Sequence, residues 1–157
     1  MNTIKSILFY TSILFISLAP GCGKDDNNPA APTGDVPAEL LGTWYYQSAS
    51  INGVQVPLGF ILGWDQGTVS ARFTVGSDES FIYEELNADA AVVWTESGTF
   101  TVDGNSATIT ITENDDGPVD PPEVLSGTWS FNEAANQLTL NTTYNNIAVV
   151  FVAVRNL

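Results

Sequence analysis

From residue 39 onward the chain alternates apolar and polar positions with a period of two. Ala107, Ile109 and Ile111 interleave with Thr108, Thr110 and Thr112. Trp94, Phe100 and Val102 oppose Thr95, Thr99 and Thr101, and Leu125, Trp129 and Phe131 share one side of their segment. A period of two is the mark of a half-buried strand. No stretch of this region keeps a helical period for ten residues. Turn residues divide it into eight predicted strands, at 42–51, 68–75, 79–86, 91–102, 105–113, 124–132, 136–143 and 146–155. The apolar face is the buried one and threonines cover the wet one. A membrane-spanning barrel would turn its apolar face outward instead.

The lengths of the links suggest how these strands are arranged. Gly76-Ser77-Asp78, Asp103-Gly104 and Glu133-Ala134-Ala135 are tight turns, whereas 52–67 and 114–123 are long. In an up-and-down meander both long links fall at the same end. The expectation is all-β: an eight-stranded antiparallel up-and-down β-barrel, tight at its base and elaborated at its mouth. Eight strands leave room for packed side chains or for one small ligand.

The two long links differ in character. Residues 54–64 hold Leu58, Phe60, Ile61, Leu62 and Trp64, broken by Pro57, Gly59 and Gly63. So apolar a segment must cover something. A plug completing the core, a lid over the mouth and a patch for a partner all fit. The other link carries Glu113, Asp115, Asp116, Asp120 and Glu123. Hard cations take clustered carboxylates, but the spacing is not that of an EF-hand and Pro118, Pro121 and Pro122 stiffen the segment. It reads as a solvated charged loop, with no metal.

Ahead of the alternating region lies a different pattern. Lys5 precedes a twelve-residue run, Ile7 to Leu18, that is almost wholly apolar. This is short for a membrane span and suits a signal peptide. Ala19-Pro20-Gly21 leads to Cys22, the sole cysteine of 157 residues, so no internal disulfide can form. The stretch resembles the lipobox of bacterial lipoproteins, although Leu18 stands one position early. That resemblance implies a signal peptide at 1–21, acylation of Cys22 and a membrane anchor. Lys24-Asp25-Asp26 resembles the tag that sends lipoproteins of some Gram-negative bacteria to the outer face of the outer membrane. Residues 22–38, rich in Pro, Asn and Asp, read as a flexible acidic linker, leaving 39–157 as one domain.

Composition removes several function classes. After cleavage, 18 acids face only Lys24, Arg72 and Arg155, a net charge of −15. Nucleic acid would be repelled. Histidine is absent, and with it the commonest general base and transition-metal ligand. No motif brings a pair of carboxylates together for acid–base work. The expectation is a protein that is not an enzyme and carries no cofactor.

Leu40-Leu41-Gly42-Thr43-Trp44 resembles the Gly-x-Trp opening of lipocalins, and the whole of 39–157 resembles the short lipocalin-like domains of bacterial surface lipoproteins. Those repeat a late Gly-Thr-Trp, here Gly127-Thr128-Trp129, and follow it with a Leu-Thr-Leu strand, here Leu138-Thr139-Leu140. The resemblance implies that Trp44 closes the base under Arg155 from the last strand, a structural stack worth roughly 0.5–2 kcal/mol.

If Trp44 faces inward, unbroken parity turns Tyr46, Ser48 and Ser50 inward too. The same logic offers Phe81, Tyr83 and Glu85, then Trp94, then Thr142 and Tyr144 near the mouth, with Phe60 and Trp64 from the apolar link. Apolar walls with a few placed polar groups suit a small hydrophobic or amphipathic ligand. The same residues would also fill a dry core. Two functional readings therefore stand: a surface-anchored ligand-binding barrel, and a surface protein-interaction or accessory domain with a filled barrel.

Overall fold

The computed structural model describes residues 36–62, 67–144 and 147–155. The expected signal peptide at 1–21, Cys22, most of the linker, and Trp64 lie outside the described residues.

Nine antiparallel strands form one sheet in the order β2-β1-β3-β4-β5-β6-β7-β8-β9, and β1 pairs with β9 to close it. The elements are β1 (Gly42–Ile51), β2 (Val54–Val56), α1 (Leu58–Leu62), β3 (Thr68–Val75), β4 (Ser80–Asn87), β5 (Val92–Asp103), β6 (Ser106–Asn114), β7 (Gly117–Asn132), β8 (Gln137–Tyr144) and β9 (Ile147–Val154). Every strand of the barrel proper pairs with its sequence neighbours, which makes an eight-stranded up-and-down barrel of the lipocalin-like kind, with β2 added beside β1. No helix among the described residues is long and apolar enough to cross a membrane.

The base is a layer of large side chains. Trp44, Phe73, Phe100, Leu40 and Leu138 are almost wholly buried. Phe73 stacks on Phe81 at 6.0 Å between ring centres, and Phe81 on Phe100 at 6.5 Å. Leu40 and Val36 belong to this core, so packing begins ahead of the boundary expected at residue 39. Trp44 Nε1 donates to the Leu40 carbonyl at 2.9 Å, which holds the leading segment under the barrel. Arg155 lies over the Trp44 ring, 4.7 Å from its centre, and 5.6 Å from that of Phe131. Its Nη2 donates to the carbonyls of Ala38, Glu39 and Leu41. The second Gly-Thr-Trp does a related job: Trp129 Nε1 donates to the Gly104 carbonyl at 3.1 Å and ties down the β5–β6 turn.

Three local features differ from the sequence expectation. The acidic segment is not a loop. β6 runs to Asn114 and β7 begins at Gly117, leaving only Asp115-Asp116 between them. Pro121 and Pro122 are accommodated by looping out: Ile111 pairs with Glu123 and Glu113 with Pro118, so residues 119–122 bulge opposite Thr112. Proline has no N–H to give a ladder, which is why pairing lapses there.

The second difference is in β1. Tyr46 pairs with Ala153 but Ser48 with Val152, so Gln47 is an extra residue in a bulge. Parity flips past it. Ala49 is buried and faces Phe151, while Ser48 and Ser50 turn to the outer wall. The inward placement expected for Ser48 and Ser50 is therefore corrected.

Third, the apolar link holds structure of its own. β2 pairs with the end of β1 through Ala49↔Val56, Ser50↔Gln55 and Ile51↔Val54. α1 follows, with Leu62 packed against the core and Phe60 75% exposed.

Candidate ligand-binding site

The barrel interior changes character from base to mouth. Tyr46, the first inward residue of β1 above Trp44, packs against Phe73, Phe151 and Tyr83 at 5.3, 5.5 and 6.2 Å. Burial raises its phenol pKa, and the charge of Glu96 raises it further. Above this ring layer the wall turns acidic and hydrogen-bonding.

Glu85 is 4% exposed, the one buried charged residue among those described. It lies inward because β4 alternates, Phe81, Tyr83 and Glu85 sharing one face. Thr68 Oγ1 donates to its Oε2 at 2.9 Å and Tyr83 OH to its Oε1 at 3.4 Å. Across the sheet Glu85 faces Trp94, and Tyr83 faces Glu96. Trp94 Nε1 donates to Glu96 Oε1 at 3.1 Å. Glu123, opposite Ile111, completes the acidic wall from β7. Half-burial holds its carboxyl pKa above the ordinary range, and the Glu96 charge adds to the shift. The three carboxylates are spread around the wall, and no group of three acids, histidines or cysteines among the described residues is placed to hold a metal ion.

Of the residues singled out from sequence, Tyr46, Phe81, Tyr83, Glu85 and Trp94 share this interior. Phe81 belongs to the dry base. Thr142 lies higher, its Oγ1 donating to the Ser126 carbonyl at 2.7 Å. Tyr144 ends β8. Ser48 and Ser50 sit on the outside, in a shallow groove with Gln55, Val150 and Val152. Phe60 points to solvent and does not reach the interior. Glu96, Glu123 and Thr68 were not anticipated. Glu96 was within reach: it is two residues from Trp94 on the same strand face. Glu123 was hidden because its segment looked like a loop, although it lies two residues before the inward Leu125.

The described cations lie elsewhere. Arg72 Nε donates to Glu84 Oε2 at 2.6 Å on the outer wall, and that bond raises its pKa. Arg155 is under the base. The upper interior wall is therefore built of aromatic faces and carboxylates. Aromatic faces and carboxylates both attract cations.

No family model matches the chain, and neither does any curated protein. Solved structures do. The chain is similar to the tryptamine complex of the amine binding protein of Rhodnius prolixus, with 14% identity over 78% of this chain and 67% of that one and a TM-score of 0.47. It is similar to a selenomethionine derivative of a biogenic amine-binding protein, with the same identity and shares and a TM-score of 0.46. It is also similar to the REP1-NXSQ fatty acid transporter, at 12% identity over 76% of this chain and 98% of that one, TM-score 0.42.

Proposed function

We propose that this protein is a surface-anchored, non-catalytic binding protein whose barrel holds a small amphipathic ligand with a positively charged end. The apolar part would rest on the ring layer of Tyr46, Phe73 and Phe151. The charged end would meet Glu96 and Glu123, with Trp94 beside them. One observation carries the reading: Glu123 is half-buried in the barrel wall, and the nearby Glu96 makes its ionisation harder. A bound cation would relieve both costs, since an opposite charge favours the ionised form.

The anchor belongs to the same proposal. Acylation of Cys22 would hold the barrel at a membrane through residues 22–35, on the outer membrane surface of a Gram-negative cell. Its support is the apolar run ending at a lone cysteine. Mass spectrometry of the mature N-terminus tests it. A diacylglyceryl adduct on Cys22 is expected, and an unmodified thiol overturns it.

The ligand reading is tested by calorimetry and thermal shift with three probes of one chain length: dodecyltrimethylammonium, dodecyl maltoside and dodecyl sulfate, each below its micelle concentration. The cation should bind at least about tenfold more tightly than the neutral probe, a difference of about 1.4 kcal/mol, and the sulfate least. Preference for the sulfate, or no binding by any probe, overturns the reading.

The other reading, a protein-interaction domain, is favoured by the exposure of Phe60. A partner that binds the protein but not Phe60→Ser, with the barrel interior silent to all three probes, would establish it instead.

A further inference from the structure

Exposed apolar side chains are not spread evenly over this barrel. Eight large ones are exposed among the described residues, and six of them lie at the mouth end: Val54, Phe60, Val69, Val92, Val93 and Ile147. They form one arc in strand order. Ile147 starts β9, Val54 lies on β2 beside β1, Phe60 is on α1, Val69 is near the start of β3, and Val92 and Val93 start β5. The other two, Ile82 and Val124, stand singly on β4 and β7.

The backbone itself puts two of the six on display. Between β3 and β4 the pairing steps from Ser70↔Leu86 to Thr68↔Asn87, so Val69 is an extra residue. Between β4 and β5 it steps from Glu85↔Trp94 to Leu86↔Val92, so Val93 is an extra residue too. The two bulges flank Leu86 at one level. A bulge disrupts the ladder and re-aims a side chain. Here each bulge gives solvent a valine, 57% and 46% exposed. An arc of exposed apolar side chains marks an interaction surface.

Beside this arc the mouth is acidic. Glu113, Asp115, Asp116 and Asp120 are exposed at the β6–β7 end, and Asp89 in the β4–β5 turn. Neither described cation is near, since Arg72 is on the outer wall and Arg155 under the base. The charge decides what can sit there. A second copy would set acids against acids, and an anionic lipid surface would be repelled. A partner with apolar side chains next to lysines or arginines matches both arcs. The two bulge valines are two strand spacings apart, about 10 Å, close to the width of a single helix.

We propose that the mouth rim docks a basic amphipathic helix of another polypeptide. Its apolar stripe would rest on Phe60, Val69 and Val93, and its cations would face Glu113, Asp116 and Asp120. The proposal goes beyond the ligand-binding reading, because it uses the rim and not the interior.

Calorimetry on the full chain tests it with three synthetic peptides of about 18 residues, long enough to hold a helix. One carries leucine and lysine at helical spacing, the second glutamate in place of lysine, the third serine in place of leucine. The leucine–lysine peptide should bind at least about tenfold more tightly than either other. Val69→Ser/Val93→Ser should weaken it by about tenfold or more, as loss of a central contact does. Ile82→Ser/Val124→Ser removes the exposed apolar side chains of the outer wall and should change nothing. If the valine pair fails to fold, Phe60→Ser takes its place and should weaken binding in the same sense. Glu113→Gln/Asp116→Asn should flatten the salt dependence of binding. Three results overturn the proposal: no binding of the leucine–lysine peptide, equal binding of the serine–lysine peptide, or equal loss in the outer-wall variant. Binding to phosphatidylcholine vesicles through Val69 and Val93, with no peptide bound, also overturns it and makes the rim a lipid contact. Titration of dodecyltrimethylammonium reads the interior separately. Silence of that probe, with the peptide still bound, would end the ligand reading and leave the rim proposal standing.

Discussion

Single side chains hold the two ends of this barrel in different ways. At the base, Arg155 combines a face contact with Trp44 and hydrogen bonds to three backbone carbonyls. Its buried Nε finds no acceptor, which offsets part of the gain. Charge-assisted hydrogen bonds contribute about 1.5–3 kcal/mol, so Arg155→Ala should lower unfolding free energy by about 2–3 kcal/mol in urea titration. Arg155→Lys should recover little of this, because lysine lacks the planar fork. At the mouth end, Glu123 acts oppositely. Its folded pKa is raised above the ordinary 4.5 by burial and by Glu96. The folded state then holds the proton more tightly than the unfolded state. Stability should be greatest below pH 4.5 as far as this group is concerned, and should fall as pH rises through the raised value. Glu123→Gln should therefore melt higher than the unaltered protein at pH 7, and the fall with pH should flatten. Of these two residues, Arg155 was legible in the sequence through the resemblance its position invites. Glu123 was not, because three prolines made its strand look like a loop.

Among the elements, the strands were the most legible part, because threonine and aliphatic residues alternate cleanly over whole segments. Apart from the start of β7, each expected boundary lies within a residue of the observed one. What periodicity could not show was where alternation is interrupted. Gln47 carries no mark of its bulge: it follows Tyr46 as any outward polar residue would. The bulge is visible only once Ala153 and Val152 are seen to pair with Tyr46 and Ser48. The apolar link was recognised as a cover, and its parts divide that role. Leu62 packs against the core, so Leu62→Ala should cost about 1–2 kcal/mol, below the range for fully buried leucine. Phe60 is exposed, so Phe60→Ser should stay within about 0.5 kcal/mol of the unaltered protein. Chemical denaturation of the two variants side by side checks this. Equal losses would mean that α1 buries both side chains in solution.

At the scale of the molecule the dominant quantity is charge. The described residues hold 14 acids and two cations, Arg72 and Arg155, each already engaged. Like charges on a compact body repel, and salt screens them over a Debye length of about 10 Å at 0.1 M. The melting temperature should rise as sodium chloride goes from about 10 mM to about 500 mM. Over the same range, binding of a cationic probe should weaken, since its attraction is screened too. Folding and binding would then respond to salt with opposite signs, and calorimetry on one preparation reads both.

Mechanics adds a consequence of how the leading segment is held. Val36 and Leu40 are buried under the base, Trp44 bonds the Leu40 carbonyl, and Arg155 grips the backbone from Ala38 to Leu41. Tension arriving from the residues before Val36 therefore falls on the closed end. It meets a knot of indole, guanidinium and aliphatic packing before it reaches the paired edges of β1. The acidic layer lies beyond that knot, so a tug on the leading segment would reach it last.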